Sequence, residues 1–198
     1  MSPLAFPQSF HDTAKRLIAR YPEGRARSAL LPLLYLVQAE HGYVSREGIA
    51  VVSELLGLTK AEVAAVATFY TMFKREPQGK WLVSVCTQPS CALAGGRDLR
   101  DRLEQELGVT CGGTTADGTV SLEDVECLCA CDGAPVFTVN YENYERMSVD
   151  DAVQMVHSLR AGGTPPAGAR GDAPLDFAGT HRRLAGAETP IPVTRRVR

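Results

Sequence analysis

This sequence of 198 residues is informative first in what it lacks. It has no apolar run near the roughly 20 residues that a membrane-spanning helix needs. Met1 to Ser9 show no basic stretch followed by a long apolar core, so no secretory signal is expected. A formal net charge of −2 leaves no surplus of cations for a broad basic face, which counts against a nucleic-acid binder of that kind. Only 4 lysines stand beside 17 arginines, which reads as a bias of composition rather than of function. No Gly-x-Gly-x-x-Gly follows a strand pattern, and Gly95-Gly96 and Gly112-Gly113 are too short to be a dinucleotide fingerprint. No Cys-x-x-Cys opens a helix, which lowers a thioredoxin-type redox reading. There is no internal repeat. Cysteine itself is absent outside one window, where Cys86, Cys91, Cys111, Cys127, Cys129 and Cys131 all lie. A disulfide framework would spread its cysteines over a small secreted domain. With no signal in view the cytosol is the expected compartment, and clustered cysteines there point to metal binding or redox chemistry.

What is present suits a folded chain of one or two small domains, with 44% hydrophobic and 22% charged residues. The first part reads as four short amphipathic helices. Ser9 caps a segment through Phe10, Leu17 and Ile18 that ends at Tyr21-Pro22. Ala29 to Val37 forms the second and stops at His41-Gly42. The third follows Ser45 and stops at Gly57. The fourth opens on the capping box Thr59-Lys60-Ala61-Glu62. Brief loops between them predict an antiparallel bundle over 1–76 that serves as scaffold or docking surface. Pro77-Gln78-Gly79 marks a boundary. Beyond it Trp81 to Val85 reads as a buried strand ending at Cys86, Ala92 to Leu107 as a helix loosened by Gly95-Gly96 and ended by Gly108, and Gly118 to Leu122 as turn then strand. Val136 to Asn140 reads as another strand, with Tyr144 to Met147 as its hairpin partner across Tyr141-Glu142-Asn143. A last helix follows the Ser148-x-x-Asp151 box and stops at Gly162-Gly163. The expected fold class is α+β: a helical bundle, then a domain with a small mixed sheet over 77–161. From 162 to 198 the sequence holds 5 of 12 prolines, 6 of 18 glycines and 6 arginines against 3 acids, which predicts an extended or disordered tail.

The cysteine spacing is Cys86-x4-Cys91 and, 35 residues on, Cys127-x3-Cys131. The first pair follows a strand end and the second precedes another strand, so loops at one sheet end would converge four sulfurs. Four thiolates suit an iron–sulfur cluster or structural zinc. Zinc knuckles favour tight Cys-x2-Cys pairs, whereas the wider loops here wrap a longer two-iron rhomb. Such a group is doubly negative when oxidised and more so when reduced, and it needs oriented backbone amides. The small residues Ser90, Ala92, Ala130 and Gly133 let backbone approach. Zinc and thiol–disulfide chemistry remain as rivals on spacing alone. Cys129 lies two residues from each member of the second pair and competes as a ligand. Cys111, near a turn, reads as a small structural or free thiol. Asp124, Glu126 and Asp132 are either solvated loop acids or charges that lower a cluster's potential. His11, His41, His157 and His181 read as structural or surface residues.

At these residues the chain resembles a known family, the thioredoxin-like 2Fe-2S ferredoxins that form the E subunit of NADH-quinone oxidoreductases (respiratory complex I). The resemblance rests on Ala67-Thr68-Phe69-Tyr70-Thr71-Met72-Phe73, Pro77-x-Gly79-Lys80 and Val85-Cys86-x4-Cys91-x-Leu93-x-Gly95. It continues through Thr114-Thr115-x-Asp117-Gly118, Val125-Glu126-Cys127-Leu128-x-Ala130-Cys131, Ala134-Pro135 and Asn140. It implies a helical bundle joined to a thioredoxin-like domain, with a 2Fe-2S cluster on Cys86, Cys91, Cys127 and Cys131. Where this chain has Cys129 the family usually has a small residue, often Gly. The resemblance further implies a one-electron carrier without catalytic residues of its own. Its implied partners are a flavoprotein subunit holding FMN and NADH and a larger iron–sulfur subunit, in an assembly peripheral to the cytoplasmic face of the inner membrane. In the family this cluster is thought to lie off the main electron path, as a temporary store for one electron. A single 2Fe-2S centre moves single electrons and takes no hydride, which is why a flavin partner is needed. Three other readings stand beside this one: the diaphorase subunit of an NAD-linked hydrogenase or formate dehydrogenase, a zinc-stabilised interaction module, and a thiol–disulfide enzyme.

Overall fold

The computed structural model describes residues 6–187. It divides into two units, Met1–Pro77 with Ala178–Arg198, and Gln78–Phe177. The expectation for Met1 to Ala5 and the last part of the expected tail, 188–198, lie outside the described residues.

The first unit begins with α1 (Gln8–Ile18), α2 (Leu30–His41), α3 (Arg46–Leu56) and α4 (Lys60–Phe69). Phe10, Ala14 and Leu17 recur at helical spacing on α1 and are buried. The cap of α1 is Pro7, extended at φ −69° and ψ 161°, and Ser9 falls inside the first turn instead. The helix starts where proline's fixed φ ends the extended entry. Ser45 caps α3 by accepting from the Gly48 amide at 3.0 Å. Thr59 and Glu62 form the capping box of α4 in both directions. The core is Leu33, Leu34, Val37, Val52, Val63 and Ala67. Within it, Gln38 is fully buried; its Nε2 donates to the Met72 carbonyl at 2.9 Å and its Oε1 accepts from the Lys74 amide at 2.6 Å. One amide side chain thereby fixes the path of the chain after α4.

The second unit holds β1 (Trp81–Cys86), α5 (Pro89–Leu93), α6 (Gly96–Leu107), β2 (Val120–Val125), β3 (Val136–Val139), β4 (Glu142–Glu145) and α7 (Val149–Arg160). The strand order is β2-β1-β3-β4, with β1 parallel to β2 and antiparallel to β3. Mixed helices with this sheet make the fold α+β. Trp81, Val83 and Val85 alternate onto one core with Leu99, Leu103, Val156 and Leu159 of α6 and α7. Three sequence motifs act here as structural devices. A side chain on Gly79 would strike the Thr119 backbone at 2.9 Å. Asp117 accepts from Thr115 Oγ1 at 2.5 Å and the Thr119 amide at 2.9 Å, shaping the turn into β2. Asn140 accepts from the Leu82 amide at 2.8 Å and donates to the Lys80 and Leu175 carbonyls.

Several expectations are corrected. The single helix expected over Ala92 to Leu107 is two, because Gly95 turns left-handed at φ 94° between α5 and α6. The strand expected at Gly118 to Leu122 runs Val120–Val125. The hairpin turn is Asn140-Tyr141, both at positive φ, so β4 starts at Glu142 rather than at Tyr144. Two left-handed residues give the backbone twist that a tight hairpin needs. The described part of the tail is not wholly extended. Residues 163–176 run as a strap beside the edge strand β4, tied by Ala169 N to Asn143 O at 2.7 Å and by Tyr144 Oη to Pro166 O at 2.7 Å. A helix follows, α8 (Phe177–Ala185). Its Ala185 joins the first unit's core, His181 is fully buried, and Arg20 donates to the Gly186 carbonyl at 2.7 Å. The sequence shows this helix poorly because its apolar positions are few and proline-rich segments flank it.

Phe137 is fully buried in β3 and stacks on Tyr144 at 5.5 Å between ring centroids. Phe137→Ala is expected to cost about 3–5 kcal/mol of stability, read as a lowered denaturant midpoint for the second unit's transition.

Candidate metal centre

Parallel pairing of β1 with β2 decides where the cysteines go. The register sets Cys86, the last residue of β1, beside Val125, the last of β2. Both strands therefore release their following loops at the same sheet end. The first loop leads from Cys86 into α5, which Pro89 opens at a position where its missing N–H costs nothing. Cys91 lies in α5 and, like Cys86, is buried. Gly96 holds this loop close: a side chain there would meet the Cys86 carbonyl oxygen at 2.7 Å and that of Cys91 at 2.8 Å. The second loop carries Cys127, Cys129 and Cys131, all exposed, and ends in a 3-10 turn over Cys131–Gly133.

The thiols come in pairs. Cys127 Sγ and Cys131 Sγ are 3.5 Å apart. Cys86 and Cys131 both act on the Cys91 thiol and raise its pKa. Cys131 in turn feels Cys127, Ser90 and Cys86. The Cys91 thiol is pushed up to about 11, chiefly by burial and then by Cys86. The Cys127 thiol is drawn down, chiefly by the Cys129 backbone N–H, which donates to Cys127 Sγ at 3.4 Å. A small apolar cluster of Cys86, Cys91, Ala130 and Val136 backs the site. Among the described residues no three His, Cys, Asp or Glu side chains are gathered as ligands for a single ion. A tetrahedral metal with bonds near ~2.3 Å to sulfur spaces two thiolates roughly 3.7 Å apart, and the Cys127–Cys131 pair fits that spacing. Cys86 and Cys91 lie in the same neighbourhood as Cys131.

The remaining candidates separate from this cluster. Cys129 sits at φ 57°, a conformation that favours glycine, and its Sγ faces the Cys127 carbonyl at 3.7 Å. Its amide, rather than its thiol, is directed at the pair. Cys111 packs in the larger core beside Val109. Its thiol is raised to about 12, first by burial and then by Glu104 and Asp124. Of the three acids, Glu126 acts on Cys127 and raises its pKa. Asp132 is held below the usual carboxylate range by a hydrogen bond from Arg170 and by its charge. His41 bonds Ser45 at 2.9 Å, His157 bonds Glu106 at 3.0 Å, and His11 packs edge-on against Phe10. Sequence reasoning missed Gly96 as a backbone contact. It also missed Arg146 and Arg170, which bind the second loop from β4's end and from the strap. Only a three-dimensional neighbourhood reveals such arginines.

The parallel β1–β2 pair thus releases two cysteine-bearing loops at one sheet end of an α+β fold. A family model described as thioredoxin-like [2Fe-2S] ferredoxin matches residues 14–160, and the chain belongs to that family. A protein of Mycobacterium bovis, named as the E subunit of NADH-quinone oxidoreductase, is 49% identical over 179 residues, covering 90% of this chain and 70% of its own length. NADH-quinone oxidoreductase subunit 2 of Thermus thermophilus is 38% identical over 160 residues, covering 80% of this chain and 88% of its own. A crystal structure of an NAD+-reducing [NiFe]-hydrogenase superposes with a TM-score of 0.60 at 22% identity, over 67% of this chain and 22% of the hydrogenase chain. That likeness is one of fold.

Two outcomes are expected. Gly96→Ala pushes backbone apart at Cys86 and Cys91 and lowers the iron content of protein purified without oxygen, while far-UV circular dichroism keeps its helical signal. At pH 8 an ordinary cysteine, with a pKa near 8.5, carries an appreciable thiolate fraction. Cys111, at about 12, stays a thiol there, so iodoacetamide alkylates it at least roughly tenfold more slowly than a free cysteine. Its rate rises with pH up to that value, as mass spectrometry of the tryptic peptide will show.

Proposed function

We propose that this chain is a one-electron carrier subunit of the NADH-oxidising module of an NADH-quinone oxidoreductase, holding a 2Fe-2S cluster on Cys86, Cys91, Cys127 and Cys131. The observation that carries the reading is the meeting of the two cysteine loops at one end of the β1–β2 pair. When bound, the cluster supplies single-electron transfer. The protein's own part is to supply four thiolates, to aim the Cys129 amide at Cys127 Sγ, and to back the site with Ala130 and Val136. Cys131 is favoured over Cys129 as the fourth ligand because Cys131, not Cys129, pairs with Cys127 at 3.5 Å.

In this reading the chain docks beside a flavoprotein subunit that holds FMN and NADH, with a larger iron–sulfur subunit in the same assembly. The assembly sits at the cytoplasmic face of the inner membrane, and no helix among the described residues is long and apolar enough to cross that membrane. Leu93, two residues past Cys91 and 91% exposed, offers an apolar contact for a docking partner next to the site. The chain has no catalytic residues in this reading, because its work is electronic. Identity of 49% to an NADH-quinone oxidoreductase subunit favours the quinone oxidoreductase over the diaphorase of a hydrogenase, whose likeness is at 22%.

Protein purified anaerobically is expected to be red-brown, to contain iron and sulfide in equal amounts, and to give an EPR signal on reduction. Serine at Cys86, Cys91, Cys127 or Cys131 is expected to reduce or distort that signal, whereas Cys129→Gly keeps it. Colourless zinc-loaded protein, or loss of the signal in Cys129→Gly with retention in Cys131→Ser, overturns the assignment.

A further inference from the structure

The second cysteine loop is held from outside by a residue of the strap. Arg170 Nη2 donates to Asp132 Oδ1 at 2.7 Å, and its Nε donates to Glu145 Oε1. Asp132 is the residue next to Cys131, and Glu145 is the last residue of β4. The Glu145 side chain is only 11% exposed, so its carboxylate lies largely out of water and needs a cation beside it. Gly133 makes room for it, since a side chain there would overlap the Glu145 carboxylate. Arg146 adds a second hold on the same turn: its amide donates to the Gly133 carbonyl at 2.7 Å and its Nη2 to the Asp132 carbonyl at 3.0 Å. The 3-10 turn over Cys131–Gly133 is thus gripped on its backbone by Arg146 and on its side chain by Arg170.

We propose that Arg170 is a positioning residue for the metal centre, holding the Cys131 turn through Asp132 and offsetting the charge of the two carboxylates beside that turn. This rests on the ligand set proposed above. The guanidinium is suited to the task because its planar fork reaches two carboxylates at once, where an ammonium is a single point. Partners hydrogen-bonded directly to a ligand typically change metal affinity by about 10–100-fold when removed, and Arg170, which acts through the neighbouring Asp132, is placed at the low end of that range. The charge effect has a definite sign. Reduction makes the cluster more negative, so taking away a nearby cation disfavours reduction and lowers the midpoint potential; taking away a nearby carboxylate raises it.

The test uses the full chain purified anaerobically, with Arg170→Gln, Arg170→Lys and Asp132→Asn. Iron release to a chelator is followed by loss of visible absorbance, and the midpoint potential by redox titration with EPR. Arg170→Gln and Asp132→Asn are both expected to release iron roughly tenfold faster than wild type, and to move the potential in opposite directions, down and up. Arg170→Lys keeps the potential close to wild type yet still releases iron faster. The proposal is overturned if Arg170→Gln releases iron at the wild-type rate, or if it and Asp132→Asn shift the potential the same way, as general loosening would make them do. If Arg170→Gln does not fold, Asp132→Asn and Arg170→Lys decide by the same two readouts. A wild-type chain with no cluster overturns the ligand assignment instead, which keeps the two failures apart.

Discussion

Parallel register between β1 and β2 is the constraint on which the site depends. Cys86 and Cys127 stand far apart in sequence, and nothing local draws them together. The ladder that aligns Trp81 with Val120 at one end aligns Cys86 with Val125 at the other. Alternation along β1 then separates the tasks of the strand. Trp81, Val83 and Val85 join the core under α6 and α7, and Cys86, one residue on, belongs to the separate small cluster with Cys91 and Ala130. A slip of one residue would send Cys86 into the helical core and Val85 to the site. The alternation that buries Val85 against Leu99 and Leu103 therefore also aims the first thiol.

Burial divides the four thiols unequally. Cys86 and Cys91 are buried, while Cys127 and Cys131 are exposed. Burial makes thiolate formation costly at Cys91, a cost that a metal bound as proposed would offset by direct bonding. The exposed pair has the opposite problem, since a loop in water has many conformations. Its order comes from backbone and cationic contacts: the Cys129 amide on Cys127 Sγ, and Arg146 on the Asp132 and Gly133 carbonyls. The two halves of the site are built on different physics, a rigid apolar wall on one side and a tethered polar loop on the other.

Much of this could be read from the sequence, and the misses have definite causes. Thr59 with Glu62, Ser45, Gly57 and Gly108 announce helix ends by chemistry that acts within four residues. The two cysteine pairs announce themselves by composition and spacing. Failures occur where conformation is set by distant contacts or by residues that break a local rule. Gly95 splits a helix that periodicity alone would continue. Asn140 and Tyr141 take positive φ without glycine, and Asn140 is held there by Leu82, Lys80 and Leu175. The strap has no periodicity at all. It is ordered by single hydrogen bonds to β4, and only the edge of a sheet, unknown to a sequence, makes those bonds available.

That strap lies just past the residues that the family model matches. The matched residues end at 160, while the contacts at Pro166, Ala169 and Arg170 begin just beyond. The four candidate cysteines and the Cys129 amide fall within the matched residues, and one of the two arginines that hold the Cys131 turn falls past their end. An edge strand must be covered in any case, because its open backbone invites other chains to pair with it. Covering β4 with the chain's own segment places that segment within reach of the last residue of β4 and of the turn beside it. Arg170 needs only this adjacency to reach Glu145 and Asp132 together. Covering a sheet edge thus also brings one arginine onto the turn that follows Cys131, whose thiol is paired with that of Cys127.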